Sequence, residues 1–224
     1  MDDVADLERE RDRLGRSSTA ERVADILRER IAEGFFAPGQ RLSEESIGTA
    51  LGVSRNTLRE AFRLLSHERL LTHRLNRGVF VRMLSVEDVG DLYRVRRVIE
   101  GSAVRHARPE ALGAMREAVE DGELAAREGR WREVGTANIR FHQALAALNG
   151  SKRLDDMMRQ LLAELRLVFH VMRNPRSFHE PFVTRNRELL TLMAAGELDK
   201  AERQLAGYFD DAEALLVEAY RPQE

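Results

Sequence analysis

The 224-residue chain contains no cysteine, so it can form neither a disulfide nor a thiolate metal site. Lysine is nearly absent as well. Lys152 and Lys200 are the only two among 36 basic residues, a bias that genome base composition alone can produce. No apolar run approaches the ~20 residues that span a bilayer. The opening stretch, MDDVADLERERDRLGR, mixes both charges around no apolar centre, unlike a secretion signal. A cytoplasmic protein without a membrane partner is therefore expected. Also missing are a nucleophile–base set, a phosphate-binding loop and a quartet of metal ligands, so no enzyme activity is expected. The length suits two modest domains, and 43% hydrophobic with 33% charged residues is ordinary for a soluble helical protein.

The stretch from Arg41 to Arg82, RLSEESIGTALGVSRNTLREAFRLLSHERLLTHRLNRGVFVR, carries the clearest pattern. Ser43 offers an N-cap for a helix to Leu51 with Ile47, Ala50 and Leu51 on its apolar edge. Gly52-Val53-Ser54 makes the turn, with Gly52 where a left-handed conformation is needed. Ser54 caps a second helix, Arg55 to His67, whose Leu58, Ala61, Phe62 and Leu65 face inward at helical spacing. Its first turn presents Ser54, Arg55, Asn56, Thr57 and Arg59, donors and acceptors suited to base edges in a major groove. Leu71–Arg74 and Gly78–Arg82 read as two strands around a turn at Leu75–Gly78, a hairpin with Arg74 and Arg77 near its tip. The segment holds eight Arg against four Glu, a net +4 on a chain of net −2. A basic module on an acidic body suits a polyanion. The alternative is a helical hairpin with solvated arginines.

Upstream, Ser17, Ser18 and Thr19 are N-cap candidates for a helix to Glu33, with Val23, Ile26, Leu27 and Ile31 inward. Residues 1–18 form a mixed-charge leader, disordered or an extra helix. These elements resemble the winged helix-turn-helix of GntR-type bacterial transcription regulators. The resemblance rests on ERVADILRERIAEG, FFAPGQRLSEE, SRNTLREAFRLL and NRGVFV. It implies a DNA-binding domain over 19–82, with Arg55 and Arg59 on guanine edges or flanking phosphates. Ser54, Asn56 and Thr57 would support them, with Arg77 and Gly78 at the minor groove. The chain departs from that pattern at Thr57 (often proline), Arg69 (usually glycine) and Glu45 (arginine in some members).

From Ser85 onward only helices are expected, near 86–107, 109–128, 130–148, 151–173, 179–195 and 197–220. The breaks fall at Pro109, Gly129, Asn149-Gly150, Pro175 with Pro181, and Gly196. The fold class is mostly α: a winged helix-turn-helix followed by an antiparallel all-α bundle over 86–221. Polar residues fall on the inward stripes of these helices. Arg96 and Glu100 sit one turn apart, either as a structural ion pair or with Arg96 forked onto a ligand carboxylate. Asn138 and His142 share an edge, and Asn186 and Tyr208 also point inward. His106, His170 and His179 are expected in loops or on the surface.

DLYRVRRVIEGSAVRHA, NIRFHQALAALNGS and RNRELLTLMAAGELDKAERQL resemble the FCD effector domain in its six-helix, VanR-like form. Many members hold a divalent metal there with one Asp and three His. At those positions this chain has Asn138, His142, Asn186 and Tyr208, and only His142 is kept. No metal and no other cofactor is therefore expected. Arg96, Glu100, Asn138, His142, Asn186 and Tyr208 remain as a polar pocket for a small, carboxylate-bearing metabolite. The expected whole is a homodimeric, ligand-responsive repressor on a near-palindromic duplex operator. The alternative is a constitutive DNA-binding dimer whose bundle only dimerises.

Overall fold

The computed structural model describes residues 18–172 and 174–219. Residues 1–17 of the leader and the expected helix ends at 173 and 220 lie outside these residues. The chain divides into two compact units at Arg82/Met83.

The first unit opens with α1 (Thr19–Ala32). Ser18 accepts from the Glu21 amide while the Glu21 carboxylate accepts from the Ser18 amide, a reciprocal cap that satisfies two otherwise orphaned donors. Ala20, Val23, Ala24, Leu27 and Ile31 form its buried face. Ile26, expected inside, is 43% exposed, because the alanines at positions 20 and 24 complete the stripe on the other side of Val23. Next come β1 (Arg41–Leu42), α2 (Glu44–Leu51), α3 (Arg55–His67), β2 (Leu71–Arg74) and β3 (Gly78–Val81). The sheet is antiparallel in the order β1-β3-β2, with Leu71 opposite Val81 and Arg74 opposite Gly78. The hairpin was expected. Strand β1, which pairs Arg41 with Phe80, is two residues long and leaves no alternation to read.

Gly52 ends α2 at φ 62°, and Ser54 caps α3 through the Thr57 amide, both as expected. Leu58, Ala61, Phe62 and Leu65 are buried and join Leu27, Ile31, Leu42 and Val79 in one core. Arg69, after α3, has φ 59°, the left-handed region that glycine enters without strain.

The second unit consists of α4 (Val86–Val104), a 3₁₀ turn at Pro109–Ala111, α5 (Gly113–Arg127), α6 (Trp131–Ala147), α7 (Lys152–Val171), α8 (Pro175–Ala194) and α9 (Leu198–Ala219). Helix α6 touches α4, α5, α7 and α8, and α9 packs on α4 and α8. Ser85 caps α4 as expected, with Asp88 completing a reciprocal box. Helix α8 starts four residues earlier than expected. Asn174 caps it, Pro175 takes the first position where a missing N–H costs nothing, and Pro181 lies inside it. Reading the two prolines together as a break misplaced His179, which is in α8 and only 4% exposed. His170 likewise lies within α7 and is half-buried, whereas His106 is exposed just beyond α4.

Candidate nucleic-acid interface and bundle core

The N-terminal turn of α3 is offered to solvent. Arg55, Asn56 and Arg59 are exposed. Ser54 has a local task, since its Oγ accepts from the Thr57 amide at 3.1 Å and meets Thr57 Oγ1 at 2.9 Å. The two hydroxyls thus fix the start of the helix that carries the arginines. Arg59 lies 3.6 Å from Glu44 of α2, a loose exposed pair. On the hairpin, Arg74 stacks on Phe80 with its guanidinium carbon 4.6 Å from the ring centre. Arg77 is exposed beside Gly78, whose φ of 99° favours glycine. A cleft of about 420 Å³ separates helix tip from hairpin, lined by Arg41, Ser43, Glu44, Glu45, Arg55 and Gly78 among others. Arg41 belongs to this face and was not among the expected residues. Its signal, a lone arginine between a Pro-Gly turn and a capped helix, is too short to stand out.

In the bundle the six expected pocket residues meet in one continuous chain. Arg96 Nε donates to Glu100 at 2.8 Å, and Glu100 Oε2 lies 2.5 Å from His142 Nδ1. His142 Nε2 lies 3.0 Å from the Tyr208 hydroxyl. Tyr208 and Asn186 Nδ2 both donate to Asn138 Oδ1 at 2.8 Å. The Arg96 guanidinium lies over the Tyr93 and Phe209 rings at 5.0 and 4.8 Å. All but Asn138 are buried. Burial alone would raise the Glu100 carboxyl, but Arg96 and His142 facing it hold it below the usual range. Burial holds His142 below its ordinary pKa against the pull of Glu100. The Tyr208 phenol is pushed far up by burial.

Proton counting gives this chain a direction. If Tyr208 spends its single proton on Asn138, it can only accept from His142, and both imidazole nitrogens must then carry protons. A neutral imidazole needs the reverse: Tyr208 donates to Nε2, and the amides of Asn138 and Asn186 turn over. In the turned arrangement Asn186 Oδ1 accepts from the Asn138 amide, and Asn186 Nδ2 takes the place without a partner. Burial of His142 favours the neutral form, so the turned arrangement holds near neutral pH.

These donors do not suit a divalent metal. Both nitrogens of His142 are engaged, Asn138 and Asn186 supply neutral amides, and Tyr208 is held protonated. Among the described residues no cluster of three His, Asp or Glu is placed to hold one. The space beside Asn138, Asn186 and His179 measures about 10 Å³, room for about one water. His179 closes it, wedged between Phe169 and Phe178 at 4.9 and 5.0 Å and against the backbone of Gly135. Burial, then Arg166, lowers its pKa to about 4.

Comparison with known proteins decides the family. The sequence model described as bacterial regulatory proteins, gntR family, matches residues 19–81, and that of the FCD domain matches 91–211. A crystal structure described as a GntR transcriptional regulator from Rhodococcus sp. RHA1 is 48% identical with a TM-score of 0.88, covering 92% of this chain and 100% of that one. The chain belongs to the GntR family, with an FCD domain. Among its GntR relatives, the Nta operon transcriptional regulator of Aminobacter aminovorans is 32% identical over 58% of this chain and 64% of its own. The gluconate operon transcriptional repressor of Bacillus licheniformis is 41% identical over 39% of this chain and 35% of its own. The chain thus spans less than two thirds of these two curated relatives. Both relatives are regulators rather than enzymes. Among the described residues no helix is long and apolar enough to cross a membrane.

Proposed function

We propose that the chain is a sequence-specific, DNA-binding transcription regulator of the repressor kind, acting in the cytoplasm as a homodimer on a near-palindromic operator. The observation that carries this reading is the exposed first turn of α3, where Arg55 and Asn56 stand free on a helix fixed by its Ser54 cap. Arg55 and Arg59 face guanine edges or flanking phosphates, with Asn56 beside them. Arg74, Arg77 and Gly78 meet the adjacent minor groove. Ser54 and Thr57 position the tip rather than read bases. Two tips about 34 Å apart would read two half-sites. Selection from a random duplex pool tests this: the retained sequences should share a dyad, and affinity should fall steeply with salt. Retention of unrelated sequences with equal affinity rules out sequence reading.

The effector of this reading is a small carboxylate-bearing metabolite in the bundle. Support comes from the FCD match and from Arg96 Nη2, a buried donor without a partner among the described residues. Glu100, Asn138, His142 and Tyr208 complete the polar wall. No metal or other cofactor takes part. A second reading, a constitutive DNA-binding dimer, is favoured by the small size of the space beside Asn138 and Asn186, about 10 Å³. A thermal-shift screen of organic and sugar acids separates the two. A saturable rise in Tm that also changes duplex affinity supports the effector. No shift across the panel supports the constitutive dimer.

A further inference from the structure

The arginines of the first unit fall into two groups. Arg28 pairs with Glu68 and Asp25, Arg30 with Glu33, and Arg63 with Glu60. Arg41 and Arg55 form no ion pair with any described residue, and both line the cleft between the tip of α3 and the hairpin. Arg41 reaches the cleft from β1, where its backbone is fixed by pairing with Phe80. Its guanidinium lies flat against the hairpin: a Cβ at Gly78 would stand 3.2 Å from Arg41 Nε and 3.6 Å from Nη2. Of the two acids in the cleft, Glu44 faces Arg59 and Glu45 has no partner among the described residues. Two free guanidiniums against one free carboxylate leave the cleft net positive.

We infer that Arg41 is a phosphate clamp: it holds the DNA strand that crosses between the groove read by α3 and the groove met by the hairpin. This inference rests on the DNA-binding reading above. Adjacent grooves are divided by a sugar-phosphate backbone, so a protein that reaches into both must let one strand pass between its helix and its wing. Arg41 and Arg55 flank that passage, but Arg41 is carried by the sheet rather than by the helix that enters the groove, so its proposed partner is a phosphate rather than a base edge. A guanidinium forks onto phosphate oxygens with two parallel N–H bonds. Arg41 therefore contributes affinity and register without sequence preference.

The test uses the full chain, a duplex it selects from a random pool, and a scrambled duplex of equal composition. Arg41→Ala should weaken both duplexes by the same factor, on the order of tenfold at low salt, and reduce the slope of log affinity against log salt by about 0.9. Arg41→Lys should restore that slope while recovering only part of the affinity, because an ammonium cannot fork. Arg55→Ala serves as the contrast, since it should reduce discrimination between the duplexes. If Arg41→Ala leaves both affinities and the slope unchanged while the wild type binds, the clamp is refuted and the DNA reading stands. If it weakens only the selected duplex, Arg41 reads a base and the clamp is again refuted. If the wild type binds no duplex, the DNA reading falls and the clamp with it.

Discussion

His179 shows what one buried side chain can do to the stability of a bundle. Its folded pKa of about 4 lies below the ordinary 6.5, so the folded protein refuses a proton that the unfolded chain accepts. The contribution is therefore complete above pH 6.5, declines as pH falls toward 4, and is flat below. The full difference is on the order of 3 kcal/mol. Urea unfolding of the wild type and His179→Gln across pH 4–7 checks it. The wild type should lose stability more steeply than the variant in that window, and parallel curves would disprove the assignment. At Tyr208, a Phe substitution removes the partner of the buried His142 Nε2 and should cost about 1–3 kcal/mol. Nitrogen NMR of His142 in the wild type should show a neutral ring protonated at Nδ1 near pH 7. An imidazolium signal there would reverse the direction assigned to the chain.

At the scale of the element, two backbone positions make opposite predictions. Arg69 holds φ 59° at the end of α3, a conformation that costs a side chain about 1 kcal/mol or more. Arg69→Gly should raise the melting temperature of the winged unit by a few degrees. Gly135 is where α6 meets α8, and a Cβ there would stand 2.8 Å from His179 Nε2. The ring is boxed in by Phe169 and Phe178 and cannot swing away, so Gly135→Ala should destabilise by about 1–3 kcal/mol. An unchanged melting temperature in either variant would contradict the geometry. These elements also show what a sequence can and cannot disclose. Ser43, Ser54 and Ser85 announced their helices because a cap is a local signal, and Gly52 announced its turn for the same reason. Pro181 misled because a proline inside a helix looks like one that ends it, and the packing that keeps α8 continuous is not written locally. Strand β1 stayed hidden because its two residues become a strand only through a partner nearly forty positions away.

At the scale of the whole molecule, two units carry two kinds of polar cluster. The winged unit leaves Arg41 and Arg55 without an ion pair to any described residue and offers them to solvent. The bundle ties Arg96 to Glu100 and seals both from water. The inward direction of Arg96, Glu100, Asn138, His142, Asn186 and Tyr208 was legible from helical spacing, whereas their meeting in one place was implied only by the resemblance to the FCD domain. Their closure into a hydrogen-bonded chain was not legible, since periodicity gives direction without volume. Breaking the chain at its charged end should be severe: Glu100→Ala leaves a buried guanidinium unpaired, at about 3–5 kcal/mol. The central claim is that the tip of α3 reads sequence through Arg55. Its most direct test is the ratio of affinities for a selected and a scrambled duplex at one fixed salt concentration, measured for the wild type and Arg55→Ala. The wild type should discriminate by roughly a thousandfold or more, and the variant should lose at least about tenfold of that ratio. An Arg55→Ala protein that keeps the wild-type ratio would contradict the claim.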